Sequence, residues 1–385
     1  MTPRLPLPLT QEMFKSLLDD LPEDVFGPDF ADACERLDRF VGALTCELAR
    51  HLSLPQKEPI TLGSLMRERR WVAGSEPTLR WLLSTLELYG RAQRRGEAWV
   101  VTDLASDYSA AEVRAAALAA DPAVGPAYEV LALAGAALPA VLDGTVRGEE
   151  ALFGPQTMGV WFSYFSNDNP LYAPSNRLAA AAAAGAAGPS PRVLELGGGG
   201  GSASQEIACR LVAAGKTPWL YHFTELQPAF LRRGARAAQA AMPSATAFKA
   251  FRYDINEPPS KQDVTPRQYD LIVAVNTAHL ARDLTATLTM LRSLLAEGGV
   301  LVLGELIRPA NTGTVHLELP FSLLSSYRQT AASNSAGRPA GFLPEAMWRE
   351  ALHAAGFSRV DILPAKLAAC VELYPGFYSA ALIAR

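Results

Sequence analysis

Two side chains in the carboxyl-terminal half of the sequence have the type and setting for proton transfer. The segment NTAHLARDL places His279 just beyond the apolar run YDLIVAVN, and VLVLGELIRP places Glu305 near the end of the next apolar run. If both runs are neighbouring strands, the imidazole and the carboxylate arrive at one rim of a sheet. An imidazole titrates near neutrality, and a carboxylate beside it sets its tautomer and stabilises the cation formed when it takes a proton. The plainer alternative has His279 capping the following helix and Glu305 in a structural ion pair. Position at a strand end beside a crevice favours the catalytic pair. The other histidines carry less: His222 falls within a strand, His353 within a helix, and His51 and His316 have no partner identifiable from sequence.

The elements that would position this pair alternate in type. Residues 193–196 read as a buried strand, five glycines follow in VLELGGGGGS, and SASQEIACRLVAAG has helical spacing through Ile207, Leu211 and Val212, with Gly215 as its stop. WLYHFTE (219–225), AFKAFRYDI (247–255), YDLIVAVN (269–276) and VLVLGELI (300–307) read as further strands, the last preceded by a turn at Glu297-Gly298-Gly299. PAFLRRGARAAQAA and LTATLTMLRSLLA are helices between them. This alternation predicts an α/β, Rossmann-like sheet, parallel at its centre. Near the end, the helix LPEAMWREALHAAGF leads to the strand SRVDIL and then to FYSAALIA, with no room for a crossover helix between the two strands. They are expected to pair antiparallel at the sheet edge.

The amino-terminal region reads differently. CERLDRFVGALTCELARHL (34–52) and PTLRWLLSTLELYG (77–90) are helical, and RAQRRGEAWVVTDL supplies a short basic turn and a strand, Trp99 to Thr102. The combination suggests a winged-helix-like unit, but no basic face extends along its helix, so a packing or substrate-side role outweighs DNA reading. YEVLALAGAALPAVLDG (128–144) is a further helix, followed by the aromatic segment WFSYFSNDNPLYAPSNR (161–177), and the alanine-rich stretch 178–187 is expected to pack closely on a neighbour. The implied division is a helical, winged-helix-like subdomain at 1–150, a linker and lid segment at 151–190, and the sheet-forming core at 191–385. Sites favour such junctions.

Ligands of these sheets bind beyond the carboxyl ends of the strands. That rim holds Gly197, Gly199 and Gly201, then Glu225, Asp254, Asn276 and Glu305. Glu225 suits a ribose diol and Asp254 an adenine amino group. Two cofactors compete. Gly198, Gly200 and Ala203 satisfy a dinucleotide pattern, though five glycines fit almost any glycine pattern. Glu195 lies inside the motif as Glu195-x-Gly197-x-Gly199-x-Gly201, where a pyrophosphate would be repelled and a ligand with an ammonium and a sulfonium would not. S-adenosylmethionine is therefore preferred to NAD.

Composition narrows the remaining classes. The 385 residues are about half apolar, enough for two full cores, and the net charge of −4 does not point to nucleic acid. Cys34, Cys46, Cys209 and Cys370 are far apart with no CxxC pair, which fits a reducing cytoplasm and argues against disulfides or a metal site. The start MTPRLPLPLTQEMF lacks a basic segment followed by an apolar core, so no signal peptide is expected. Nor is a membrane span expected, for want of a run of about twenty strongly apolar residues.

At its most chemical residues the chain resembles the C-methyltransferase domain of polyketide synthases, within the class I methyltransferases. VNTAHLARDLTATLTMLRSLLAEGGVLVLGE carries the asparagine, histidine, acid-leucine pair, long helix, glycine-glycine turn and strand-end glutamate of that family. LSTLELYGRAQRRGEAWVVTDL, LPAVLDGTVRGEEALF and SYFSNDNPLYAPSNRLAA are similar to its amino-terminal subdomain, linker and aromatic entry segment, so the likeness covers roughly residues 30–385. It implies that His279 deprotonates the α-carbon of a β-ketoacyl chain on an acyl carrier protein, with Glu305 orienting it, and that Tyr164 or Tyr172 lines the substrate end. The chain departs from the family in its all-glycine loop, where an alanine and a threonine are usual, and in the segment 311–343, which lacks a tryptophan-rich lid. Its own initiator methionine suggests action in trans, with an excised domain as the other expectation. An O-methyltransferase for a small phenol or acid, a type commonly found as a homodimer, is the alternative enzyme. A methyltransferase fold kept as a non-catalytic scaffold is the alternative outside enzymes.

Overall fold

The structure is a computed structural model that describes residues 17–18, 20–27, 29–308, 315–328, 341–373 and 379–385. The start MTPRLPLPLTQEMF, parts of the segment 311–343 and the first residues of FYSAALIA lie outside the described residues.

The amino-terminal part comprises α1 (Phe30–His51), β1 (Pro59–Ile60), α2 (Leu62–Arg69), α3 (Glu76–Leu88), β2 (Ala92–Arg95), β3 (Ala98–Val101), α4 (Ala110–Ala120), α5 (Gly125–Leu142), α6 (Gly148–Phe153) and α7 (Met158–Tyr164). The apolar stripe of α1 is buried as its spacing predicts, through Leu37, Phe40, Val41, Leu44 and Leu48. Phe40 meets Tyr128 of α5 at 4.9 Å between ring centroids. The basic turn expected at 91–96 is itself a strand. Arg95 pairs with Ala98 across a two-residue loop, and a positive φ at Gly96 alone is what a II′ hairpin turn requires. The hairpin joins β1 in a small sheet of order β1-β3-β2. One expectation needs correction here. Pro122–Leu142 is long and apolar enough by length and composition to cross a membrane. Its apolarity comes mostly from alanine and leucine, and Val130, Leu131, Ala134 and Leu138 are buried as in a core helix.

The sheet-forming core begins with α8 (Ala173–Ala186) and continues through β4 (Arg192–Leu196), α9 (Ser202–Ala213), β5 (Leu220–Thr224), α10 (Pro228–Ala241), β6 (Ala247–Phe251), β7 (Tyr269–Val275), α11 (Leu284–Leu294) and β8 (Leu295–Leu306). After β8 come α12 (Glu318–Ser322), α13 (Glu345–Ala354), β9 (Val360–Leu363), α14 (Leu367–Leu373) and β10 (Ser379–Ala384). The sheet order is β6-β5-β4-β7-β8-β10-β9. Its first five strands run parallel, and β10 is antiparallel to both neighbours. The antiparallel end is as expected, but β9 forms the edge and β10 lies inside it. A short helix, α14, occupies the connection thought too short for one. An antiparallel return needs no full crossover, so seven helical residues fit. The turn at 297–299 falls within β8, whose pairing with β7 shifts register between Tyr269 and Leu271.

The alanine-rich helix packs closely, as its composition suggests. A Cβ on Gly304 of β8 would lie 2.9 Å from Ala179 Cβ and 3.3 Å from the Ser175 carbonyl oxygen, so α8 rests almost backbone to backbone on the strand. Two hydrophobic clusters result, one around the large sheet and one around α1, α3 and α5, with Leu171 packed against both. Tyr164 and Tyr172 belong to the second cluster, and Val275 and Ala278 to the first. The rim of the sheet faces this seam.

Leu382 sits mid-strand in β10 between Leu303 and Ile362 and is wholly buried. Leu382→Ala should lower the unfolding free energy by about 2–5 kcal/mol. The measure is the urea midpoint at unchanged slope, and a wild-type midpoint would mean that β10 lies outside the cooperative core.

Candidate active site

The five glycines between β4 and α9 do different jobs. Gly197, Gly199 and Gly201 have positive φ, which a side chain rarely tolerates. A Cβ on Gly197 would stand 2.3 Å from Thr277 Oγ1, one on Gly198 2.2 Å from the Phe223 ring, and one on Gly201 2.8 Å from the Gly234 carbonyl oxygen. These three let the loop pack on β5, α10 and the turn after β7. Gly199 and Gly200 meet nothing nearer than 3.9 and 3.8 Å, so bare backbone there is open to a ligand. The Gly199 amide donates to Glu225 Oε2 at 3.0 Å, and the Gln227 amide donates to Oε1 at 2.8 Å. Glu225 is thereby held, half-buried, at the end of β5.

Glu195 precedes the loop by two residues. It is buried in β4, and its Oε2 accepts from Ser204 Oγ and, at 2.8 Å, from Tyr221 Oη. Oε1 is buried with no hydrogen-bond partner. Burial pushes its pKa up to about 7, against the two donors, with Glu225 adding to the rise. Asp254 follows β6 and is half-buried, its Oδ1 accepting the Asn256 amide at 2.9 Å.

The second group gathers where β7 and β8 end. Asn276 takes φ +48°, a left-handed conformation that asparagine adopts more readily than most residues. Its amide donates to the Gly304 carbonyl at 2.7 Å and its Nδ2 to Tyr172 Oη at 3.2 Å, while its buried Oδ1 has no partner. A single helical turn, Ala278–Leu280, then presents His279. Glu305 is fully buried. Its Oε1 accepts the amides of Ala278 at 2.9 Å and His279 at 3.3 Å, and its Oε2 lies 2.7 Å from His279 Nδ1. Since a carboxylate can only accept, Nδ1 carries the hydrogen and Nε2 keeps the free lone pair. A cavity of about 350 Å³ opens beside His279, lined among others by Arg282, Leu343, Met347 and Ala351.

The aromatic segment lies against this rim. Tyr172 is packed on Tyr164 and Phe165, with ring centroids 5.3 and 5.2 Å away. Burial pushes its phenol up to about 12; Asn276 opposes the shift and the charge of Glu305 adds to it. Phe162 approaches Gly200, and the guanidinium of Arg233 sits 4.2 Å above its ring. Asn167 Nδ2 donates to the Ser202 carbonyl, and Asn176 Nδ2 to Asn167 Oδ1, both at 2.8 Å, tying the segment to the start of α9. These asparagines, Thr277 and the ring partners of His279 were not singled out from the sequence. The run SNDNP was the available signal for Asn167; Asn176 and the others depend on long-range packing. Among the described residues no cluster of histidine, cysteine and acidic side chains could hold a metal ion.

A carboxyl with a higher pKa folded than unfolded gives stability that is fully present below its unfolded value and is lost as pH rises through its folded value. For Glu195 the window runs from 4.5 to about 7. Glu195→Gln, neutral throughout, should therefore gain melting temperature relative to the wild-type protein as pH rises across that window. Thermal unfolding in a pH series tests this, and parallel curves would show that Glu195 is not the titrating group.

Comparison with known proteins bears on this geometry. Residues 194–301 match the family described as a methyltransferase domain. A non-reducing polyketide synthase of Macrophomina phaseolina, dpmpA, is 30% identical over 74% of this chain and 13% of its own length. The chain spans about a tenth of the length of the curated relatives it matches, between 6% and 13%. The CurJ carbon methyltransferase superposes with a TM-score of 0.73 at 20% identity, over 97% of this chain and 96% of that one. A trans-methyltransferase, CalH, in complex with SAH gives a TM-score of 0.61 at 20% identity, over 92% and 91%. The chain carries a methyltransferase domain and has the class I methyltransferase fold, and it resembles the carbon-methyltransferase domains of polyketide synthases.

Proposed function

We propose that this chain is an S-adenosylmethionine-dependent C-methyltransferase that methylates the α-carbon of a β-ketoacyl thioester carried on an acyl carrier protein. The observation that carries the reading is the sealed His279–Glu305 pair, 2.7 Å apart, with Nε2 left as the free basic nitrogen. The likeness to polyketide synthase segments and to the CurJ fold supports the substrate class.

The residues present fit the cofactor. Gly199 and Gly200 offer open backbone, Glu225 a held carboxylate for a ribose diol, Asp254 an acceptor for an adenine amine, and Glu195 a buried oxygen without a partner. Asn276, with its orphaned Oδ1, completes the set expected along the rim. S-adenosylmethionine, when bound, supplies a methyl group on a cationic sulfur.

The chain's own residues account for the proton. An α-carbon between two carbonyls is acidic enough for a neutral imidazole to deprotonate. His279 Nε2 takes that proton, and the resulting imidazolium keeps its Nδ1–H bond to Glu305, now a charge-assisted contact in a site with almost no water. Glu305, by accepting from Nδ1–H, prevents the ring from offering Nδ1 instead. Tyr172 Oη accepts from Asn276, which leaves its hydrogen to donate to the enolate oxygen. Tyr164, packed at a tilt against Tyr172, sets the orientation of that ring.

His279→Ala should leave S-adenosylmethionine affinity nearly intact and lower turnover by about a hundredfold or more. The measurement combines calorimetry with mass spectrometry of β-ketoacyl thioesters incubated with the cofactor. Unchanged turnover would remove His279 from the mechanism, a methoxy product would favour the O-methyltransferase, and failure to bind the cofactor would favour a scaffold.

A further inference from the structure

One hydrogen bond cannot fix an imidazole. The terminal torsion of histidine is broad and roughly two-fold, so a ring tethered only at Nδ1 can swing and carry Nε2 with it. The second restraint on His279 is the ring of Phe342, whose centroid lies 4.6 Å away at 37° between planes. We propose that Phe342, clamped by the buried Arg308–Glu318 pair, is a positioning residue that holds the face of the His279 ring so that Nε2 points at the substrate carbon. This rests on the reading of His279 as the base.

The clamp is built on the same strand exit as the carboxylate. Arg308 follows Glu305 by three residues, just beyond the end of β8. Its amide donates to the Leu343 carbonyl at 3.0 Å and its Nε to the Phe342 carbonyl at 2.8 Å, so one residue grips two successive carbonyls, that of Phe342 and the next. Its guanidinium forks onto both oxygens of Glu318, with Nη1 at 3.0 Å from Oε2. Glu318 also accepts the Val315 amide and the Tyr327 hydroxyl, each at 3.0 Å. Gly341, with φ +72°, lies against the Tyr327 ring, where a Cβ would come within 2.5 Å. Phe342 itself is 1% exposed. Its position is therefore set from the backbone, from the ion pair and from the packing of its own ring. Glu305 thus holds one edge of the imidazole directly, and Arg308 holds its face through Phe342, from one short stretch of chain.

An ordinary core phenylalanine would do none of this, and Phe321 provides the comparison. It stacks on Trp161 at 5.8 Å and meets Phe342 at a tilt, 6.2 Å between centroids, and no ring contact joins it to His279 among the described residues. In the full chain, Phe342→Leu and the longer, unbranched Phe342→Met should lower kcat about tenfold with KM for S-adenosylmethionine within about twofold. Both should shift the His279 Hε1 resonance, assigned by its loss in His279→Ala. Phe321→Leu should leave that resonance and kcat within about twofold of wild type, even where its melting temperature falls as far. Wild-type kcat and an unmoved resonance in the Phe342 variants would overturn the proposal, as would an equal loss of kcat in Phe321→Leu. If His279→Ala is inactive and the Phe342 variants are not slowed, this inference alone fails. If His279→Ala keeps its turnover, the base assignment fails with it.

Discussion

The buried carboxylate of Glu305 is the constraint around which the rim is organised. A carboxylate sealed from water is costly unless its oxygens are filled, and here two backbone amides and an imidazole fill them. The same bonds bend the chain after β7 into the tight turn that carries His279. Structure and chemistry therefore share one group. Taking away the carboxylate would release the turn as well as the imidazole, and taking away the imidazole would leave a buried charge short of one partner.

Around that centre each neighbouring element has a division of labour. The glycine loop divides into three residues that let it pack and two that leave backbone exposed. Glu225 helps to hold the loop, and Glu195, buried just ahead of it, keeps one oxygen without a partner among the described residues. The aromatic segment closes the opposite side through Phe162, Tyr164 and Tyr172, anchored by Asn167 and by the cation over Phe162. Two buried polar atoms, Glu195 Oε1 and Asn276 Oδ1, are left without partners among the described residues.

Much of this was legible in the sequence because it depends on local period and on strand ends. Alternating elements indicated the sheet, and the placement of His279 just past one apolar run and of Glu305 near the end of the next indicated their meeting. What escaped was of another kind. The II′ hairpin at Gly96 was hidden in a basic run that reads as a turn, and the order of the last two strands is a matter of topology that no periodicity encodes. The clamp of Arg308 on Glu318 joins a strand exit to a helix, and the pairing of two charged residues in a buried place cannot be inferred from spacing alone. Phe342 looked like any apolar residue before a helix. Only its neighbour distinguishes it.

The close seat of α8 on β8 has a consequence for how such chains can be recombined. Because Gly304 precedes Glu305 directly and admits Ala179 with no side chain between, the helix that opens just after Tyr172 takes its position from the strand that carries the carboxylate. The phenol and the acid are thus referred to a common datum, though they come from distant parts of the sequence. In a chimera assembled from two related chains, the aromatic segment and its helix would have to travel with β8 as one inherited module, and a crossover between them would leave two halves of a site measured from different origins.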